Sequence, residues 1–143
     1  MERARLADQY HQRGFNCAQA VACAFQKELG LSEEQIGALL SCFGGGLRTG
    51  EVCGAVSGAA VVLGAKFPHA VPEDWEAKEL SAEKIRKFQR KFREKFGRVT
   101  CRELKPMEVD PSVSPAAREL GITSHCGIYI AAAVEILEEM LGE

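Results

Sequence analysis

The chain has 143 residues, 46% hydrophobic and 27% charged, with 18 Lys+Arg against 20 Asp+Glu. That length suits one domain, 1–143, whose core forms without disulfide staples or a structural metal. A formal charge of −2 argues against bulk electrostatic binding of nucleic acid, and six cysteines are too few for the disulfide scaffold of a short secreted chain. Residues 1–9 are charged and lack the apolar stretch of a secretory signal, and the uncharged run 52–65 is too short to span a membrane. The expected setting is cytoplasmic. There cysteines serve as metal ligands or redox groups more often than as permanent disulfides.

Helical periodicity runs through most of the sequence. A first helix is expected over 2–12. Asn16 caps a second over 17–29, which Gly30 stops. Ser32 and Gln35 form a capping box that opens a third helix through Phe43. Gly44, Gly45 and Gly46 then break the chain. Residues 51–67 read as a fourth helix crowded with small residues. Its Gly54, Gly58 and Gly64 each cost about 1 kcal/mol relative to Ala, so close approach of neighbouring backbones is expected of a central, buried helix. A linker over 68–80 leads to Ser81, which caps a long helix ending at Phe96 and Gly97. A short turn follows at 100–103. Pro106, Pro111 and Pro115 make 105–122 largely irregular, apart from a turn at 116–120. Ser124 caps a last helix over 126–141, with Cys126, Ile130, Val134, Leu137 and Leu141 facing inward. With no strand pattern of useful length, the fold class is all-α: a compact single-domain multi-helix bundle around the Gly/Ala-rich helix.

The cysteine intervals contain no C-x-x-C and no C-x-x-C-H, so thioredoxin-type motifs, zinc knuckles and covalent c-type haem are absent. Placement says more than spacing. Cys17 follows Asn16, Cys101 follows Thr100, Cys126 lies two residues past Ser124, and Cys53 falls in the first turn after the glycine loop. Free N–H groups and the helix dipole at such positions stabilise an anion by about 0.3–1 kcal/mol and lower a thiol pKa. Cys23, mid-helix, and Cys42, at a helix C-terminal end, read instead as small hydrophobes. If the four helix starts converge, their thiolates hold zinc or a Cys₄ iron–sulfur centre, [2Fe–2S] foremost. If they pair off, they make one or two exchangeable dithiols. The residues alone leave that choice open.

The segments Phe15-Asn16-Cys17-Ala18-Gln19-Ala20-Val21, Phe43-Gly44-Gly45-Gly46, Cys53-Gly54-Ala55-Val56-Ser57-Gly58-Ala59, Cys101-Arg102-Glu103-Leu104 and Cys126 resemble the C_GCAxxG_C_C family of redox-active proteins. The resemblance covers about 12–141 and maps the family cysteines onto Cys17, Cys53, Cys101 and Cys126. It implies a redox role. It also implies a link to split-Soret-type cytochromes, for which cysteine-bound iron–sulfur is the natural reading. Their haem attachment sites are missing here, so no haem function carries over.

Gly44, Gly45 and Gly46 with Arg48 and Thr49 lack the Walker spacing of a phosphate cradle. The expected use of these glycines, and of Gly54, is to let backbone pass close to a cofactor at the cysteines. His125 adjoins Cys126 and is a candidate to tune or ligate a metal. Residues 83–98 hold eight basic and two acidic residues, with Ile85, Phe88, Phe92 and Phe96 in a helical stripe. An amphipathic helix with a solvated basic face accounts for this, and an acidic electron-transfer protein is the partner such a face would attract. The alternative function is a structural or sensor module that holds zinc and docks through the same helix. A homo-oligomer stays open.

Overall fold

The structure, a computed structural model, describes residues 1–142. Helix α1 (Glu2–Gln12) turns Ala4 and Ala7 inward against α2 (Cys17–Cys23) and α9 (His125–Leu141). At the start of α2 the Asn16 side chain accepts from the Gln19 amide (2.9 Å), and the Gln19 side chain accepts from the Asn16 amide (2.8 Å). This reciprocal cap satisfies two orphan donors. The expected helix over 17–29 is broken after Cys23 and resumes as α3 (Gln26–Leu29). Phe25 sits in the break with its ring wholly buried in the main core, and the Arg3 guanidinium lies 4.5 Å from the ring centroid. The chain bends to bring that ring inward while Ala18, Ala22 and Cys23 face another cluster.

Helix α4 (Glu33–Leu39) opens with the Ser32–Gln35 capping box and stops short of Phe43. Side chains take its terminal carbonyls: Ser41 Oγ lies 2.8 Å from the Gly37 and Ala38 oxygens, and Asn16 Nδ2 donates to the Leu40 oxygen at 3.2 Å. Helix α5 (Gly54–Lys66) is the expected small-residue helix. A Cβ on Gly58 would lie 2.7 Å from the Ala18 carbonyl oxygen, so α2 and α5 cross backbone to backbone. Gly64, by contrast, is exposed with nothing in reach of a Cβ, and packing does not account for it.

Helix α6 (Trp75–Phe96) starts ahead of Ser81. Asp74 is the cap, accepting from the Ala77 amide at 3.1 Å, and Ser81 lies inside the helix with its hydroxyl on the Lys78 carbonyl. Phe88, Phe92 and Phe96 are buried, as the stripe requires. Several cations of the basic face are tied into the fold: Lys84 over the Phe67 ring, Lys91 to Glu139, and Lys95 to the Val113 carbonyl. After α7 (Cys101–Leu104), a 3₁₀ turn (Pro111–Val113) and α8 (Pro115–Leu120) occupy part of the segment expected to be irregular. Pro115 sits at the first helical position, where its missing N–H costs nothing. Ser114, fully buried, bonds Glu135 and caps the Ala117 amide.

Helix α9 is the most enclosed element. Ile128, Ile130, Val134 and Leu137 are buried with Tyr129 and Ala131 through Ala133 between them, so it is covered on nearly every side, and Cys126 and Leu141 at its ends are half-buried. One core cluster joins α9 to α1, α5, α6 and α8; a smaller one, with Cys23, Ile36 and Leu40, lies between α2 and α4. Cys23 is thus the small hydrophobe expected. Cys42 is not: it is exposed just beyond α4.

A candidate redox site lined by four cysteines

Four separate segments deliver the sulfurs. Cys17 is the first residue of α2, with Asn16 holding the turn. Cys53 caps α5, and Cys101 opens α7. A minimal antiparallel ladder joins these last two segments: Val52 pairs with Thr100, the Cys53 amide donates to the Val99 oxygen (2.8 Å), and the Cys101 amide donates to the Glu51 oxygen (2.7 Å). Residues far apart in sequence are clamped together by two hydrogen bonds. Cys126 is the second residue of α9, behind Ser124, whose hydroxyl accepts from the Gly127 amide at 3.1 Å. Gly54 makes the meeting with α2 close enough, since a Cβ there would stand 3.0 Å from that of Cys17.

Between α4 and α5 the backbone does something rarer. Gly45, Gly46, Leu47 and Arg48 have φ of 62°, 61°, 57° and 64°, a run of left-handed residues that includes two without glycine's freedom. That conformation costs Leu47 and Arg48 about 1–2 kcal/mol each. The Glu51 amide donates to the Gly46 oxygen at 2.9 Å and closes the turn. A Cβ on Gly46 would meet that Glu51 backbone at 2.4 Å, and one on Gly44 would stand 2.6 Å from Asn16 Cβ. Surrounding contacts therefore hold the turn in place.

Cys17, Cys53, Cys101 and Cys126 line one cavity of about 160 Å³, together with Gly45, Arg48, Gly54, Leu104, Lys105 and Tyr129. A cavity of roughly 150 Å³ accommodates a benzene-sized guest. Of the four glycines expected to approach a cofactor, Gly45 and Gly54 reach the lining; Gly44 and Gly46 support the loop from behind. His125 is half-buried beside Cys126 and does not line the cavity. Cys23 and Cys42 lie elsewhere.

Helix-start placement does not by itself make Cys17 or Cys53 acidic. Cys17 is pushed far up, first by the proton it shares with Cys126, then by burial and the neighbouring sulfurs. Burial pushes Cys53 up to about 12, against the Ala55 and Val56 amides that face its sulfur. Cys126 is the exception. Its contact with Cys17 brings it down to about 6, with Lys105 and His125 adding to the effect against burial. The Cys17–Cys126 contact thus favours charge on Cys126 over Cys17, and Lys105 adds to that preference. Tyr129 closes the inner wall: its hydroxyl donates to the Leu104 oxygen at 2.5 Å, and its ring meets Phe96 edge-on at 4.9 Å. Burial and the facing thiols push its phenol up to about 12. Among the described residues, no three His, Cys, Asp or Glu side chains are arranged to hold a single metal ion.

Sequence reasoning overlooked Arg48, Leu104, Lys105 and Tyr129 in this lining. Helical spacing carried the signal for three of them: Leu104 and Lys105 stand three and four residues after Cys101, and Tyr129 three after Cys126. Arg48 had a signal too: it follows the glycine loop expected to pass the cysteines, and it reaches the cavity through the left-handed turn.

A family model described as "Putative redox-active protein (C_GCAxxG_C_C)" matches residues 15–140, nearly the whole chain. No curated protein and no solved structure matches. Among the described residues, no helix is long and apolar enough to cross a membrane. The chain belongs to the C_GCAxxG_C_C family of redox-active proteins.

Proposed function

We propose that the protein transfers electrons, with Cys17, Cys53, Cys101 and Cys126 as the ligands of an iron–sulfur centre of the [2Fe–2S] type. The observation that carries this reading is the single cavity shared by four cysteines from four segments. The donor set suits such a group: four sulfurs, no carboxylate in the lining, and two backbone amides facing Cys53. Four thiolates also suit a tetrahedral zinc, which is the alternative the metal assay must separate. Once bound, an iron–sulfur group supplies one-electron storage. The chain's own residues do the rest. Arg48 and Lys105 offset the charge of the thiolates, Leu104 and Tyr129 keep water from the inner side, and the Ala55 and Val56 amides stabilise charge on Cys53. Phe96, at the end of α6, packs on Tyr129, so an acidic partner on the basic face of α6 would dock over the inner wall.

The Cys17–Cys126 contact supports a second, metal-free reading as a redox dithiol. Two thiols become one disulfide, and a disulfide-bearing partner takes up the two electrons and two protons to become a dithiol. Anaerobic purification followed by visible absorption and iron and sulfide assays separates these readings. Stoichiometric iron and sulfide are expected. A colourless protein with one bound zinc overturns the electron-transfer reading in favour of the zinc module. A metal-free protein that loses two thiols to mild oxidant establishes the dithiol.

A further inference from the structure

Outside the cysteine cavity lies a second, open pocket of about 550 Å³. The two share Cys101, Gly45, Arg48 and Lys105, so a molecule in the outer pocket stands against the Cys101 rim of the inner one. Arg102 completes the outer wall, and no acidic residue lines it. Arg102 is anchored: its guanidinium pairs with Glu51 and donates to the Gly50 oxygen at 3.1 Å. Arg48 and Lys105 make no ion pair among the described residues, and both are exposed. Arg48 is also one of the two residues held at positive φ without glycine's freedom. The left-handed turn carries Arg48 to the wall that the two pockets share, so its cation is available to a guest in the outer one as well as to the sulfurs within.

We propose that this outer pocket binds a small oxyanion-bearing molecule, through a phosphate or carboxylate group held by Arg48 and Lys105, and presents it at Cys101. The site's purpose rests on the redox reading of the cysteines; its binding chemistry does not. Two cations lining an open pocket, with a third fixed by its own partner, match an oxyanion better than a neutral guest.

Equilibrium dialysis of the full chain, as purified, against radiolabelled inorganic phosphate at low ionic strength tests this. Saturable one-site binding is expected, with the dissociation constant raised at least tenfold by Arg48→Gln with Lys105→Gln. The pair Arg90→Gln and Arg93→Gln, which removes the same charge from exposed positions on α6, should leave it unchanged. All four residues are exposed, and circular dichroism verifies that each variant folds. Non-saturable binding, or equal weakening by the two pairs, overturns the site. Displacement by equimolar acetate supports a carboxylate ligand; its failure to displace supports phosphate. Because dialysis needs neither metal nor turnover, saturable phosphate in an iron-free protein would sink the iron–sulfur reading and leave the pocket standing, and the reverse result would do the opposite.

Discussion

Cys23 and Cys53 are both buried thiols, 3% and 5% exposed, and burial raises the pKa of both, to about 11 and about 12. Their surroundings differ. Cys23 packs against Ala18, Ala22, Ile36 and Leu40, so its sulfur fills space between α2 and α4. Cys53 faces a cavity, with other sulfurs across it and backbone amides behind it. Acidity in the metal-free protein does not distinguish the two; the other groups that can share a ligand or an electron pair do. A thiol surrounded by methyl groups has no chemistry to join.

The sharpest way to break this contrast is at the α2–α5 crossing on which both regions depend. Gly58→Leu drives a side chain into the Ala18 backbone and should cost about 3 kcal/mol or more in urea denaturation. Gly64→Ala, on the same helix in open space, should instead gain about 1 kcal/mol. Equal effects would mean the helices do not meet as described.

Next in size is the direct cysteine comparison. Cys53→Ser should abolish retention of iron and sulfide, or the thiol loss on oxidation, whereas Cys23→Ser should leave either nearly intact. Identical behaviour of the two variants would erase the distinction drawn above.

A pH series sharpens the comparison within the cavity itself. Because the Cys126 pKa is lowered to about 6, its thiolate persists through neutrality and disappears as pH falls through 6. In the metal-free protein at pH 7, mass-spectrometric alkylation should favour Cys126 over Cys53 on the order of 100-fold, since six units of pKa outweigh the lower intrinsic nucleophilicity of the more acidic thiolate. Cys17→Ala removes the shared proton and should shift the Cys126 profile toward higher pH. A profile unmoved by that change would disprove the pairing.

The smallest expected effect concerns the left-handed turn. Leu47 is 54% exposed, lines neither pocket and holds φ 57°. Leu47→Gly should stabilise the fold by about 0.5–1 kcal/mol, the relief of left-handed strain exceeding glycine's entropy cost. A loss of stability in thermal melts would mean the turn is not strained.

Much of this was legible in the sequence, wherever a local rule operated alone. Asn16 with Gln19 and Ser32 with Gln35 announced their helices, and Gly30 and Gly97 ended theirs. The helix-start positions of Cys17, Cys101 and Cys126 could be read before any coordinates. What escaped notice depended on distant partners. The break at Phe25 follows from where a ring finds its core, and the end of α4 from Asn16 reaching across to the Leu40 carbonyl. The Asp74 start of α6 was passed over for Ser81, a plausible cap whose hydroxyl instead bonds back within the helix. The left-handed Leu47 and Arg48 have no signature, because their conformation is imposed by neighbours and resisted by their own side chains.

The two-bond clamp at Val52 and Thr100 has one more consequence. Everything between its arms, from α5 through α6, leaves the cysteine region and returns to it through a fixed gate. Residues 68–73 within that excursion, ahead of the Asp74 cap, are exposed throughout. That arm can therefore be lengthened, shortened or grafted with a foreign peptide while the gate stays shut, which makes it the natural insertion point for a reporter on a working protein.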